Sequence, residues 1–214
     1  MGAMFGSSCS AANGPEFAAK LPTLAAQADP DTGTKDQIRH LVVAGGCFWC
    51  VEGVFEQLKG VTAVESGYAG GAAQTATYEE VSAGATKHAE VVRISYQPDV
   101  ITFGQLLRVF FATHDPTQLN RQGPDRGPQY RSAVFVENEA QRTAAQTYIT
   151  QLNDSKVYPD PVVTTIENLA AFYPAEDYHQ DFIQHNPNHP YIQVHAVPKI
   201  EKVKKIFPDQ VKNP

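Results

Sequence analysis

Apolar residues recur along this chain with two periods. Between residues 89 and 96 they alternate, with Val92, Ile94 and Tyr96 on one face. Alternate side chains of a strand share a face, so Glu90 has the same parity and is expected to be buried with them. Residues 39–44 form a short β-type run stopped by Gly45-Gly46, after which Val51, Val54, Phe55 and Leu58 follow a helical spacing. The pattern predicts strand, turn and helix, the helix running from near Cys47 to a stop at Gly60. Cys47 and Cys50 then lie in its first turn.

Residues 61–68 read as a further strand, followed by a Gly/Ala loop. Thr102 and Gln105 have capping-box spacing before a stripe of Phe103, Leu106, Leu107, Phe110 and Phe111, which ends before Asp115-Pro116. A polar loop is expected over 117–129, a strand over 132–136, an amphipathic helix over 139–152 and a β-branched strand over 162–166. Short helices are expected near 176–185 and 199–207. Strands and helices intersperse without regular βαβ spacing, which points to an α+β fold: a two-layer α/β sandwich around a mixed, partly antiparallel sheet.

Residues 1–35 show neither period and are read as a flexible tail ahead of a single catalytic domain over 36–214; the opening, through Glu16-Phe17, looks vector-derived. The 214 residues, 42% hydrophobic and 19% charged, suit a soluble globular protein, and no apolar run is long enough to span a bilayer. A net charge of −6 disfavours a nucleic-acid partner. The expected compartment is the cytoplasm, with export as the alternative if a native signal was removed.

Three cysteines are too few for a disulfide-stapled scaffold, so Cys47 and Cys50 call for a chemical reading. Free N–H groups at a helix start favour a thiolate at Cys47, and Cys50 stands where it could resolve an oxidised Cys47 by forming a disulfide. Phe48 and Trp49 add an aromatic surface that suits methyl groups and sulfur. The same pair could be half of a zinc site, with ligands borrowed from His179, His185, His189 or His195, or could be incidental.

Gly46-Cys47-Phe48-Trp49-Cys50 resembles the active-site motif of the type A peptide methionine sulfoxide reductases. Further segments are similar in the family's order: Gly67-Tyr68-Ala69-Gly70-Gly71, Thr77-Tyr78-Glu79-Glu80-Val81, His88-Ala89-Glu90, His114-Asp115-Pro116-Thr117, Gln129-Tyr130-Arg131-Ser132-Ala133 and Ala175-Glu176-Asp177-Tyr178-His179-Gln180. The resemblance implies that Cys47 is the nucleophile, Glu90 the acid, and Tyr78 and Tyr130 the donors to the sulfoxide oxygen. It further implies a site role for Asp125 and a methyl pocket of Phe48 and Trp49. Many members carry glycine at the position of Cys50 and resolve through C-terminal cysteines. Here residues 186–214 contain none, so the chain resembles the subgroup that recycles through Cys47 and Cys50.

A sulfoxide oxygen leaves only when protonated, so a buried, neutral Glu90 would serve as its acid. The implied substrates are methionine-S-sulfoxide in oxidised proteins or peptides and in free form, with thioredoxin, or glutaredoxin, as reductant. No cofactor and no metal are expected, and the protein is expected to be a monomer. Glu52 is expected to position backbone or tyrosine hydroxyls, and Glu79 and Glu80 to be solvated. Rival readings are a general dithiol–disulfide oxidoreductase and a zinc-binding interaction module.

Overall fold

The computed structural model describes residues 15–31 and 37–212. In chain order the elements are α1 (Pro15–Lys20), β1 (Arg39–Gly45), α2 (Phe48–Phe55), β2 (Val61–Ala69), α3 (Tyr78–Ser82), β3 (Ala89–Tyr96) and α4 (Phe103–Thr113). There follow the two-residue strands β4 (Arg121–Gln122) and β5 (Asp125–Arg126), then β6 (Ser132–Val136), α5 (Glu139–Ser155), β7 (Thr165–Asn168), β8 (Phe172–Pro174), α6 (Phe182–His185) and α7 (Val197–Ile206).

The alternating strands assemble into one mixed sheet in the order β7-β6-β1-β3-β2-β8. All pairs are antiparallel except β6 with β7, which α5 connects as a crossover. Leu41 opposite Ile94 and Val43 opposite Val92 fix the central register. Their face meets Phe55, Leu106, Phe110, Phe111 and Tyr148 of the helices in the main core. The opposite face is a small cluster of Val42, Ala44, Ala69, Ala89, Val91, Ala133 and Phe135, covered by Leu169 and Phe172 rather than by helices. This is the expected two-layer α+β arrangement, with helices on one side only.

Several boundaries differ from expectation. α2 ends at Phe55, and Gly60, at φ +81°, closes the following turn instead. The strand expected over 162–166 begins at Thr165, because Val163 N–H goes to Pro116 O and not to β6. β8 has no alternation to reveal it. The loop over 117–129 contains the β4–β5 hairpin, and the helix expected over 176–185 splits into a 3₁₀ turn at Asp177–His179 and α6. A π-helical turn, Ile192–Ala196, leads into α7.

Of the flexible tail expected over 1–35, residues 1–14 and 32–35 lie outside the described residues. Within its described part, 15–31, Phe17, Ala18, Leu21 and Leu24 are buried in the main core. Arg108 Nη2 donates to Ala18 O at 2.7 Å, and Tyr148 Oη to Pro22 O at 3.0 Å. Asp31 Oδ2 accepts from Tyr96 Oη at 2.8 Å and from Phe103 N–H at 2.9 Å, while Asp29 Oδ2 accepts from Gly104 N–H at 2.9 Å. These carboxylates take up N–H groups that the first turn of α4 leaves without intrahelical partners. Phe17, Leu21 and Leu24 do stand at helical spacing, but Pro22 breaks the helix between them and hides the period. The predicted capping box of Thr102 and Gln105 is present at the same helix start. Among the described residues no helix is long and apolar enough to cross a membrane.

Candidate active site

The site begins at the turn between β1 and α2. Gly46 has φ +92°, and a Cβ there would stand 2.6 Å from the side chain of Gln122; one at Gly45 would stand 2.9 Å from the Phe110 ring. Only glycine fits this close approach. Beneath it lies His114, whose Nδ1 contacts Phe110 O at 2.7 Å and Nε2 contacts Ser132 Oγ at 2.8 Å. Because a carbonyl can only accept, Nδ1 carries the proton and Ser132 donates to Nε2. Burial pushes this histidine down to about 4, so it is a neutral support.

Cys47 is the N-cap residue of α2 but makes no side-chain cap. Phe48 N–H, one of the free donors at this helix start, is taken by Glu90 Oε2 at 3.1 Å. Cys47 and Cys50 are both free thiols, 8% and 1% exposed. The Cys50 N–H bonds to Cys47 O at 3.1 Å, and this turn brings the thiols into hydrogen-bond contact.

The electrostatics reverse one expectation. The helix start was expected to depress Cys47, whereas burial, the hydrogen bond with Cys50 and the neighbouring Glu90 hold its thiol well above the ordinary range. The hydrogen bond from Cys47 brings Cys50 down to about 7 against its burial, with Lys199 and the Tyr191 hydroxyl acting in the same direction. The charge of this shared-proton pair therefore rests on Cys50 when the site is empty. The largest cause is burial, and the Trp49 N–H at the helix start, which favours the Cys47 thiolate, does not offset it.

Glu90 is 2% exposed, on the strand face where parity placed it. Burial raises its carboxyl to about 8 against the Phe48 N–H, and the nearby Asp125 adds to the rise. Tyr78 and Tyr130 are half-buried, and both feel Glu90, Asp125 and Cys47. Burial and these charges hold both phenols above their usual range, so they remain donors. Asp125, on the β4–β5 hairpin, accepts a hydrogen bond from Tyr191 Oη. One locus thus holds Cys47, Cys50, Glu90, Tyr78, Tyr130 and Asp125.

Trp49 is half-buried and stacks on Phe182 at 3.8 Å, while Phe48 is buried 5.0 Å from the His179 ring and 6.0 Å from the Tyr68 ring. Trp49 Nε1 donates to His179 Nδ1 at 3.2 Å. Glu176 accepts from Tyr68 Oη and from Tyr78 N–H, both at 2.9 Å, and so anchors α3 to the sheet. The sequence assigns no individual site role to Glu176 or Tyr191, and to His179 only that of a candidate zinc ligand; His179 and Glu176 lie in a segment that carries the resemblance, and Tyr191 has no local signal. Glu52 is buried against Ser66 and the Asp181 N–H rather than a tyrosine, and burial with Glu56 nearby lifts it to about 8. Glu79 and Glu80 are exposed. Among the described residues no three His, Cys, Asp or Glu side chains are arranged to hold a metal ion.

Set beside known proteins, residues 39–211 match the family described as peptide methionine sulfoxide reductase. The chain is 55% identical over 168 residues to peptide methionine sulfoxide reductase MsrA 2 of Mesorhizobium japonicum, covering 78% of this chain and 86% of that one. A relative of the same description from Synechocystis sp. is 46% identical over 197 residues, 92% of each chain, so that match takes in part of the segment before β1. Reduced Mxr1 from Saccharomyces cerevisiae has a similar fold, with TM-score 0.68 and 32% identity over 76% of this chain and 94% of that one. On these matches and on the fold they share, the chain belongs to the type A peptide methionine sulfoxide reductases.

Proposed function

We propose that this chain reduces the S epimer of methionine sulfoxide, in proteins and as the free amino acid, in a protein-repair role after oxidative damage. In this reading Cys47 is the nucleophile, Glu90 the acid and Cys50 the resolving thiol. The observation that carries the reading is the placement of Glu90, buried on β3 with its carboxyl bonded to Phe48 N–H beside Cys47. A sulfoxide departs as a sulfide only if its oxygen gains a proton, and Glu90 holds one at neutral pH.

The Cys50 thiolate first takes the Cys47 proton across their hydrogen bond. The Cys47 sulfur then attacks the substrate sulfur while Glu90 protonates the oxygen, held by the Tyr78 and Tyr130 hydroxyls. The oxygen passes to Cys47 as a sulfenic acid, methionine leaves, and Glu90 becomes a carboxylate. Glu90 next takes the Cys50 proton, Cys50 attacks the Cys47 sulfur, and hydroxide departs with that proton as water. The S–S bond forms as the S–O bond breaks. Phe48 and Trp49 wall the space for the substrate methyl, and Asp125 holds the substrate beside it.

Thioredoxin is the proposed donor that reduces the disulfide, with glutaredoxin the alternative. The proposed working unit is a monomer in the cytoplasm, with one catalytic domain over 36–214 and the 15–31 segment packed on it. Reduction of separated sulfoxide epimers with thioredoxin as donor tests the substrate, and mass mapping of a Cys47–Cys50 disulfide tests the route. Cys50→Ser is expected to release one equivalent of methionine and then stop. Sustained thioredoxin-driven turnover by that variant defeats the resolving role. Activity on insulin disulfides exceeding that on sulfoxide would favour a general dithiol oxidoreductase instead.

A further inference from the structure

Resolution requires Cys50 to be ionised and correctly aimed although it is almost fully buried, where a lone thiolate is costly. Its hydrogen-bonding neighbours are the Cys47 thiol and the Tyr191 hydroxyl; Lys199, Asp125 and Glu90 are the charged or titratable groups around it. Once Cys47 is a sulfenic acid it is no longer the thiol that shared its proton with Cys50. Among the described residues, Tyr191 is then the side-chain hydroxyl directed at this sulfur.

Tyr191 comes from outside the β1–α2 unit, at the start of the π-helical turn that leads into α7. Its ring stands edge-on to Trp49 at 6.2 Å and lies 4.6 Å from the His195 ring, so packing holds it in place. Its hydroxyl donates to Asp125 Oδ2. A phenol has one proton, and here two acceptors, the Asp125 carboxylate and the Cys50 sulfur, lie within its reach.

We infer that Tyr191 is a positioning residue for disulfide formation: its hydroxyl, standing between Asp125 and Cys50, aims and stabilises the resolving thiolate. The inference rests on the resolving role proposed for Cys50. It adds no chemical step, since Cys50 still forms the S–S bond, the Cys47 S–O bond still breaks, and Glu90 still supplies the proton of the departing water. Tyr191 keeps its own proton, because burial and the surrounding sulfurs and Asp125 hold its phenol far above neutral pH.

The test is Tyr191→Phe, which keeps the ring beside Trp49 and removes only the hydroxyl. In rapid-mixing single turnovers without thioredoxin, methionine release is expected to fall by less than about threefold. Closure of the Cys47–Cys50 disulfide is expected to slow by about tenfold or more, with Cys47 sulfenic acid accumulating as a dimedone adduct. The pH profile of Cys50 alkylation is expected to move to higher pH, a change that a loss of packing alone would not produce. Disulfide closure at the parent rate, or equal slowing of both steps with an unmoved alkylation profile, overturns the inference. Cys50→Ser separates this from the underlying reading: if that variant cycles normally, the resolving role itself fails. If it stalls while Tyr191→Phe closes at the parent rate, only the role of Tyr191 fails.

Discussion

At the start of α4 and at the start of α2, buried carboxylates from distant parts of the chain accept helix N–H groups, yet the two starts serve different ends. At α4, Asp31 receives both Phe103 N–H and the Tyr96 hydroxyl, and Asp29 adds a bond from Gly104 N–H. Burial raises Asp31, but its two donors oppose the rise. At α2, the one hydrogen-bond donor to Glu90 among the described residues is Phe48 N–H, Asp125 stands nearby, and the carboxyl climbs to about 8. The number of donors around a buried carboxylate separates a structural cap from a stored proton. A helix N-terminus favours an anion, but one N–H does not offset full burial.

The widest separation between the two starts is expected for Glu90→Gln. The amide still accepts from Phe48 N–H, so the fold should persist, while single-turnover reduction falls by about 10²–10⁴-fold. The parent rate should decline as pH rises through about 8, where the acid loses its proton, and the variant should lack that limb. Full single-turnover activity in the variant would remove Glu90 from the chemistry. The linkage runs the same way for stability. The unfolded chain releases the Glu90 proton near 4.5 and the folded chain only near 8, so stability falls across that window. The fall is at most about 1.4 kcal/mol per pH unit for one group. Glu52, also raised to about 8, and Glu56, raised to about 7, add to the same slope, and Glu90→Gln should remove one share of it in urea unfolding at pH 5 and pH 8.

At the α4 side the effects should fall on stability and spare the chemistry. Leu21→Ala deletes buried contacts in the segment that carries Asp29 and Asp31, and a loss of about 2–4 kcal/mol is expected by urea unfolding. Unchanged stability would show that the segment does not contribute to the core. Asp31→Asn keeps the shape but weakens both bonds, for an expected loss of about 1–3 kcal/mol with single-turnover rates kept. If it instead slowed sulfoxide reduction as Glu90→Gln does, the two helix starts would not be functionally separate.

Residues 15–31 show why part of the fold was illegible. Phe17, Leu21 and Leu24 are spaced for one helix face, but Pro22 ends α1 early, and burial comes from contacts with α4 and α5 that no local pattern encodes. β8 escaped for the same reason: it forms because β2 offers it an edge, not because its residues alternate. Where local order and burial agree, as in β3 and the capping box of α4, the reading from residues alone matches the structure.

By itself the sequence determined the strand–turn–helix that carries Cys47 and Cys50, the parity that buries Glu90, and, through its ordered motifs, the family. Each rests on local spacing or on residue identity, which a linear chain displays directly. The tertiary structure decided the protonation pattern: that burial outweighs the helix N–H directed at Cys47, that the empty pair holds its charge on Cys50, and that Tyr191 stands between Asp125 and the resolving thiol. A proton's position depends on burial and on donors arriving from remote segments, and both exist only once the chain has folded.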